Sequence, residues 1–263
     1  MTRVISGVIA IPIVLGIVLY GSPWLFFALV AGIALVGIHE YFSMIDRIGV
    51  EGFPLVAAVL GLLLLLCFYF DGRYFLQWGG LAFVSLFAAW MIKEKNVKVA
   101  LDQISYTLTG VLYVAGLSGY FLLVHRLEAG RYWVLFLFLV IWLGDTAAYY
   151  GGRRFGRRPL APSISPKKTI EGALFGLLGS LAGGIISLLW FLDGISLLHG
   201  LLVTLICGII GQFGDLAESL LKRNTGVKDS SGLIPGHGGV LDRIDSLLFA
   251  GPALYICHQL FFL

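Results

Sequence analysis

Acids and cations alternate near the C-terminus of this chain at spacings that gather them on shared helical faces. Asp215, Glu218, Ser219 and Lys222 stand at i, i+3, i+4 and i+7, so a helix there turns two carboxylates, a hydroxyl and an ammonium to one side. Asp242 and Asp245 repeat the three-residue step, with Arg243 between them. The stretch joining the two groups, KRNTGVKDSSGLIPGHGGVLDRID, sets Lys222, Arg223, Lys228 and Arg243 among Gly232, Gly236, Gly238, Gly239, Ser230 and Ser231. Glycines let backbone N–H groups approach phosphate oxygens, lysines supply point charges and arginines supply bidentate contacts. Carboxylates do not bind phosphate directly, so acids and cations in one stretch imply a bridging hard cation with oxygen ligands, with Mg2+ the first choice. No His or Cys pair at zinc spacing competes with that assignment. The bland alternatives are a Glu218–Lys222 helix pair worth a few tenths of a kcal/mol, and carboxylates at Asp242 and Asp245 favoured by a helix N-terminus alone. The first leaves Asp215, one turn deeper, without a partner.

A second basic stretch, GGRRFGRRPLAPSISPKKTIEG, carries Arg153, Arg154, Arg157, Arg158, Lys167 and Lys168. A topogenic patch beside anionic headgroups accounts for the arginines. In SPKKT, Ser165 and Pro166 precede the paired Lys167 and Lys168, with Thr169 and Glu171 following; the fixed backbone at proline makes this a placed anion site where the next span begins. Asp145 closes an apolar run in WLGDTAAYYGG. His237, between Gly236 and Gly238, contacts a phosphate or caps a turn, with nothing to separate the two. His39 and Glu40 lie inside an apolar run, where a helix–helix polar contact outweighs a role lining the site.

The elements that carry these residues follow from composition. Of 263 residues, 59% are hydrophobic and only 13% charged, with a mean hydropathy of +0.94, which excludes a soluble surface. Runs such as LVAAVLGLLLLLCFYF are apolar on every side and exclude a transmembrane β-barrel. Nine stretches are long enough to span, at about 4–20, 23–45, 53–70, 74–92, 105–125, 131–150, 171–192, 195–221 and 244–262. The expected fold is therefore an all-α polytopic integral membrane bundle of about nine transmembrane helices. A cytoplasmic N-terminus puts fifteen of the 18 basic residues inside, leaving Arg73, Arg126 and Arg131 outside. The chain divides into N-terminal spans over 1–130 and a C-terminal catalytic region over 131–263, with two cytoplasmic connections at about 151–169 and 223–243. Cys67, Cys207 and Cys257 all fall in apolar runs and are expected to pack rather than to pair.

Residues 219–245, SLLKRNTGVKDSSGLIPGHGGVLDRID, resemble the signature of the phosphatidate cytidylyltransferase family, the CDP-diacylglycerol synthases. That pattern runs Ser, any, aliphatic, Lys-Arg, four variable, Lys-Asp, a small residue, an aliphatic-Pro step, His-Gly-Gly, aliphatic, any, Asp-Arg, aliphatic, Asp. GDTAAYYGGRRFG and SISPKKTIEG are similar to the family's upstream region, so the resemblance covers roughly 144–245. It implies exchange of CTP and phosphatidate for CDP-diacylglycerol and pyrophosphate, a Mg2+ requirement, and a homodimer in a bacterial inner membrane with its site facing the cytoplasm. By the resemblance Asp215 and Asp242 are the first metal ligands, with Asp245, Asp145 and Glu218 behind them; whether one cation or two is held stays open. Lys222, Arg223 and Lys228 are assigned to catalysis alongside the two aspartates. Ser165, Lys167, Lys168, Thr169, Glu171, His237, Gly238, Gly239 and Arg243 are assigned to substrate. The partners are CTP, phosphatidate and membrane lipid, with no nucleic acid. Two rivals are a CTP-dependent lipid kinase, which would release CDP, and an ion-coupled transporter, against which the charges gather at one face rather than at mid-membrane.

Overall fold

A computed structural model describes residues 2–93, 96–233 and 238–262 of the chain. Helix follows helix: α1 (Thr2–Tyr20), α2 (Pro23–Ile45), α3 (Pro54–Tyr69), α4 (Phe75–Lys93), α5 (Ala100–Gly110), α6 (Leu117–Arg126) and α7 (Gly130–Phe155) precede a small hairpin of β1 (Pro159–Ala161) and β2 (Ser165–Thr169). After it come α8 (Ile170–Trp190), α9 (Leu197–Asn224) and α10 (Leu241–Phe261). Local chemistry sets the breaks. Ser22 caps α2, accepting from the Leu25 N–H at 3.2 Å, with Pro23 in the first turn. Thr169 does the same for α8, accepting from Gly172 N–H at 3.1 Å.

Among the described residues seven helical stretches are long and apolar enough to cross a bilayer: those bearing α2, α4, α5 with α6, α7, α8, α9 and α10. Ala10–Tyr20 and Pro54–Tyr69 are shorter apolar helices. Large apolar side chains stand outward, with Leu76 88% and Ile92 87% exposed, as a lipid-facing surface requires. The protein is an all-α polytopic membrane protein.

The chain forms two compact units. The first comprises Met1–Leu123 and Asn224–Arg243. Its core gathers Ile38 and Tyr41 of α2, Leu60 and Leu65 of α3, and Val111 and Val114. The last two belong to a wide π turn, Val111–Gly116, which joins α5 to α6 within one span. Buried polar groups are paired inside the unit: Tyr41 donates its hydroxyl to Tyr106 O at 3.1 Å, and Thr107 Oγ1 accepts from Phe53 N–H at 3.1 Å.

The second unit comprises Val124–Arg223 and Ile244–Leu263. Here α7 and α8 lie against each other along most of their length. Glycines on both helices make this possible: a Cβ on Gly183 would stand 2.6 Å from Leu139 O, and one on Gly144 would stand 2.5 Å from Ser180 Oγ. Lipid offers no hydrophobic drive for helix pairing, so close backbone approach and interhelical hydrogen bonds supply it. Ser180 Oγ donates to Val140 O at 3.0 Å, and Gln212 Nε2 of α9 donates to Ala173 O of α8 at 3.0 Å. All three cysteines are buried and unpaired, two of them, Cys207 and Cys257, in this unit.

The connecting stretch 151–169 contains regular structure. Its first residues extend α7 to Phe155, and its last form the antiparallel hairpin, with Pro159 opposite Thr169 and Ala161 opposite Ser165. The arginine-rich composition that marks a topogenic loop is compatible with one more helical turn, because arginine is a good helix former. At 223–243, likewise, α9 continues through Asn224.

Candidate functional site

In the first unit the signature loop is organised by a carboxylate from far upstream. Glu40, on α2 and 1% exposed, accepts four hydrogen bonds: from Ser230 Oγ at 3.1 Å, Ser231 Oγ at 2.7 Å, Val240 N–H at 2.8 Å and Leu241 N–H at 2.9 Å. Asp242 complements it, with Oδ2 accepting from Ser230 N–H at 2.9 Å, Ser230 Oγ at 3.0 Å and Gly239 N–H at 2.8 Å. A helix leaves its first backbone donors without intrahelical partners. At α10 those donors meet two carboxylates, which the positive end of the helix dipole favours. The glycines follow from this crowding. A Cβ on Gly239 would come within 2.6 Å of both Glu40 oxygens, and Gly238 holds a left-handed φ of +81°.

The second unit holds the other acidic group. Lys168 of β2 reaches Asp215 of α9 at 2.6 Å, and Lys222 pairs with Glu218 one turn along α9 at 2.6 Å. Glu218 is fully buried. Asp245, half-buried in the first turns of α10, has Asp215, Glu218 and Asp145 as its charged neighbours. Its Oδ1 accepts from Ser246 N–H at 2.7 Å, and no cation pairs with it among the described residues. The partner that Asp215 lacks on its own helix thus comes from the hairpin. Among the described residues no three acidic, His or Cys side chains converge on one point; ammonium groups hold Asp215 and Glu218 instead. The donor chemistry nonetheless fits a hard cation, since every candidate ligand offers carboxyl oxygens and Asp245 is a half-buried carboxyl among acidic neighbours.

The adjacent lysines of SPKKT do not act as a pair. Successive side chains of a strand point to opposite faces, so Lys168 turns to Asp215 while Lys167 stays exposed. Ser165 opens β2 and Thr169 is occupied as the cap of α8. Glu171 braces the hairpin's approach: Oε2 accepts from the Arg157 and Arg158 N–H groups at 3.0 and 3.1 Å, and Oε1 from Arg158 Nε at 3.1 Å. Arg223 Nε donates to Ile164 O at 3.1 Å across the same hairpin. Lys228 and Arg243 are exposed in the first unit, and Asp145 is exposed on α7. Asp215 belongs to the second unit and Asp242 to the first. His237 lies outside the described residues. Glu40, which the sequence ranks as a packing residue, is instead the centre of the loop's hydrogen bonds. The signal was present, since an ionisable group inside an apolar span demands a partner.

The model of the cytidylyltransferase family matches residues 1–261, nearly the whole chain. The chain is 34% identical to the phosphatidate cytidylyltransferase of Bacillus subtilis (strain 168) over 268 residues, covering 98% of this chain and 97% of that protein. It is 38% identical over 259 residues to the phosphatidate cytidylyltransferase of Staphylococcus haemolyticus (strain JCSC1435), covering 97% of each. With the phosphatidate cytidylyltransferase of Synechocystis sp. (strain ATCC 27184 / PCC 6803 / Kazusa) it shares 34% identity over 285 residues, covering 96% of this chain and 94% of that one. The match spans the apolar first half as well as the acid- and cation-bearing second half, and the protein belongs to the cytidylyltransferase family.

Proposed function

We propose that this protein is a phosphatidate cytidylyltransferase: it transfers the cytidylyl group of CTP to phosphatidate, giving CDP-diacylglycerol and pyrophosphate, in the inner membrane of a bacterium with its site facing the cytoplasm. The observation that carries this is the end-to-end relationship to proteins of that name, joined to the clustering of carboxylates with ammonium groups at helix ends.

The physical problem is the meeting of two anions. A phosphomonoester carries about −1.5 to −2 at pH 7, and a nucleoside triphosphate carries more. An oxygen of the lipid phosphate attacks the α-phosphorus; that P–O bond forms as the bond to the bridging oxygen of the β-phosphate breaks, and pyrophosphate leaves. The nucleophile is already ionised, so no side chain need remove a proton. Catalysis is positioning and charge neutralisation. Lys168, Lys222, Arg223, Lys228 and Arg243 are the cations proposed for the phosphates, and the Gly238–Gly239 step and Ser230 fix the loop that bears Lys228 and leads into α10, which bears Arg243. Asp215, Glu218, Asp245 and Asp145 would hold Mg2+, with Asp242 a further carboxylate on α10; bound there, the cation would draw charge from phosphate oxygens. Glu171, Thr169 and Ser165 act by setting the hairpin that delivers Lys168. A homodimer is proposed as well, on the family resemblance alone.

Purified protein in liposomes, given phosphatidate, labelled CTP and Mg2+, should move label into the lipid phase and release pyrophosphate in equal amount, with both stopped by EDTA. CDP in place of pyrophosphate would establish a lipid kinase instead, and no CTP consumption with any lipid would favour the transporter.

A further inference from the structure

The first unit contains a recess of about 510 Å3 between the end of α2 and the loop that follows α9, lined by Ser43, Arg47, Lys228, Asp229, Ser230 and Ser231 among others. Its volume lies in the ~300–1,000 Å3 range of small-molecule sites. Two cations line it from opposite ends of the sequence: Arg47 from the short 3-10 turn after α2, and Lys228 from the loop. Both are exposed and neither has an ion-pair or hydrogen-bond partner among the described residues. The hydroxyls around them are spoken for. Ser43 Oγ donates to His39 O at 2.9 Å and Ser231 Oγ donates to Glu40 at 2.7 Å, so the two cations are the donors left to greet a ligand. Asp229 offsets one of them and leaves the recess positive by one charge. Gly226, with φ +72°, turns the chain to form the wall.

We propose that Arg47 and Lys228 form a phosphate-binding subsite in this recess, with Arg47 supplying the bidentate contact. A guanidinium presents a planar fork that matches two phosphate oxygens, while an ammonium acts as a point charge. The position is suited to the reaction. Ser230, which lines the recess, also donates through its N–H and Oγ to Asp242, so one wall residue is tied to the first turn of α10. The subsite rests on the cytidylyl-transfer reading for its substrate: the phosphate belongs either to the nucleotide or to the lipid. The competing explanation for Arg47 is generic. A basic residue just after a span serves topology and complements the helix C-terminus, and it would be indifferent to either substrate.

Full-length protein carrying Arg47→Gln, with Arg47→Lys beside it, separates these roles. The subsite predicts that the glutamine variant raises one KM by about tenfold or more, the scale of a lost charged hydrogen bond, with kcat little changed and the lysine variant intermediate. A raised KM for CTP assigns the recess to the nucleotide, and a raised KM for phosphatidate assigns it to the lipid. Inorganic pyrophosphate gives a readout independent of turnover: it should raise the melting temperature of the wild type and do so less for Arg47→Gln. Were the wild type to transfer no cytidylyl group yet show that arginine-dependent shift, the subsite would stand and the assigned reaction would fall. Wild-type KM values for both substrates together with an unchanged pyrophosphate shift would overturn the subsite. If Arg47→Gln fails to insert, Arg47→Lys decides alone, because it keeps the charge and loses the fork; a wild-type KM and shift there would overturn it too.

Discussion

Two carboxylates with opposite circumstances set the chemistry at the scale of single residues. Glu40 is saturated with donors, two of them N–H groups on different oxygens. Glu40→Gln must set an amide NH2 against one of those donors, and a buried group left unsatisfied costs about 1–3 kcal/mol. The expected result is a lower melting temperature in detergent and a drop in turnover of at least ~10-fold, since the loop that bears Lys228 and leads to Asp242 at the start of α10 loses its anchor. Asp245 is the reverse case, a carboxylate among carboxylates. Asp245→Asn removes one of several like charges, so stability should hold or rise while cytidylyl transfer falls by ~100-fold or more. Thermal unfolding and the transfer assay on the same preparation test the divergence; a parallel fall in both would make Asp245 structural. The sequence showed the acids at Asp215, Glu218, Asp242 and Asp245 because helical periodicity places them. It could not rank Glu40, whose four partners lie 190 to 201 residues away.

Among the elements, the seam between α7 and α8 is the one on which the hairpin and Lys168 depend. Gly183 meets backbone rather than a yielding side chain, with Leu139 O 2.6 Å from where a Cβ would stand. Gly183→Ala should destabilise by about 1–3 kcal/mol, the cost of overpacking. Gly32 on α2 is exposed with nothing within 4 Å of its would-be Cβ, so Gly32→Ala should be neutral or stabilise by up to ~1 kcal/mol. Melting temperatures of the two variants would test whether the seam is the sensitive contact. Apolar runs made the helices themselves legible, and Pro23 and Thr169 mark their starts. The hairpin was not legible. β1 and β2 are three and five residues long, too short for an alternating pattern, and the proline at position 166 argues against a strand interior except at an edge; a two-stranded hairpin has only edges.

For the whole molecule, basic residues are the compass. With fifteen of 18 on one side in the proposed orientation, Arg73 faces out and Lys98 faces in. Single cysteines introduced at those two exposed positions should differ in intact cells: Arg73→Cys should react with a membrane-impermeant thiol reagent and Lys98→Cys only after permeabilisation. The buried native cysteines give little background, and the opposite labelling pattern would invert the topology. The all-α membrane architecture was written in composition alone. The division into two units, each assembled from separate stretches of chain, was not, because hydropathy reports which residues meet lipid and is silent on which helices meet each other.

That discontinuity has a consequence during synthesis. Glu40 enters the membrane with α2, yet its nearest partner in the chain, Ser230, is 190 residues further on. At ~5–20 residues per second the ribosome needs about 10–40 s to deliver it, and through that interval the nascent protein carries an acid inside a span with its eventual donors not yet made. A chain released before Ser230 would never supply its hydrogen bonds. The last helix to emerge therefore closes the fold begun by the second, and prematurely terminated products are the expected targets of membrane quality control.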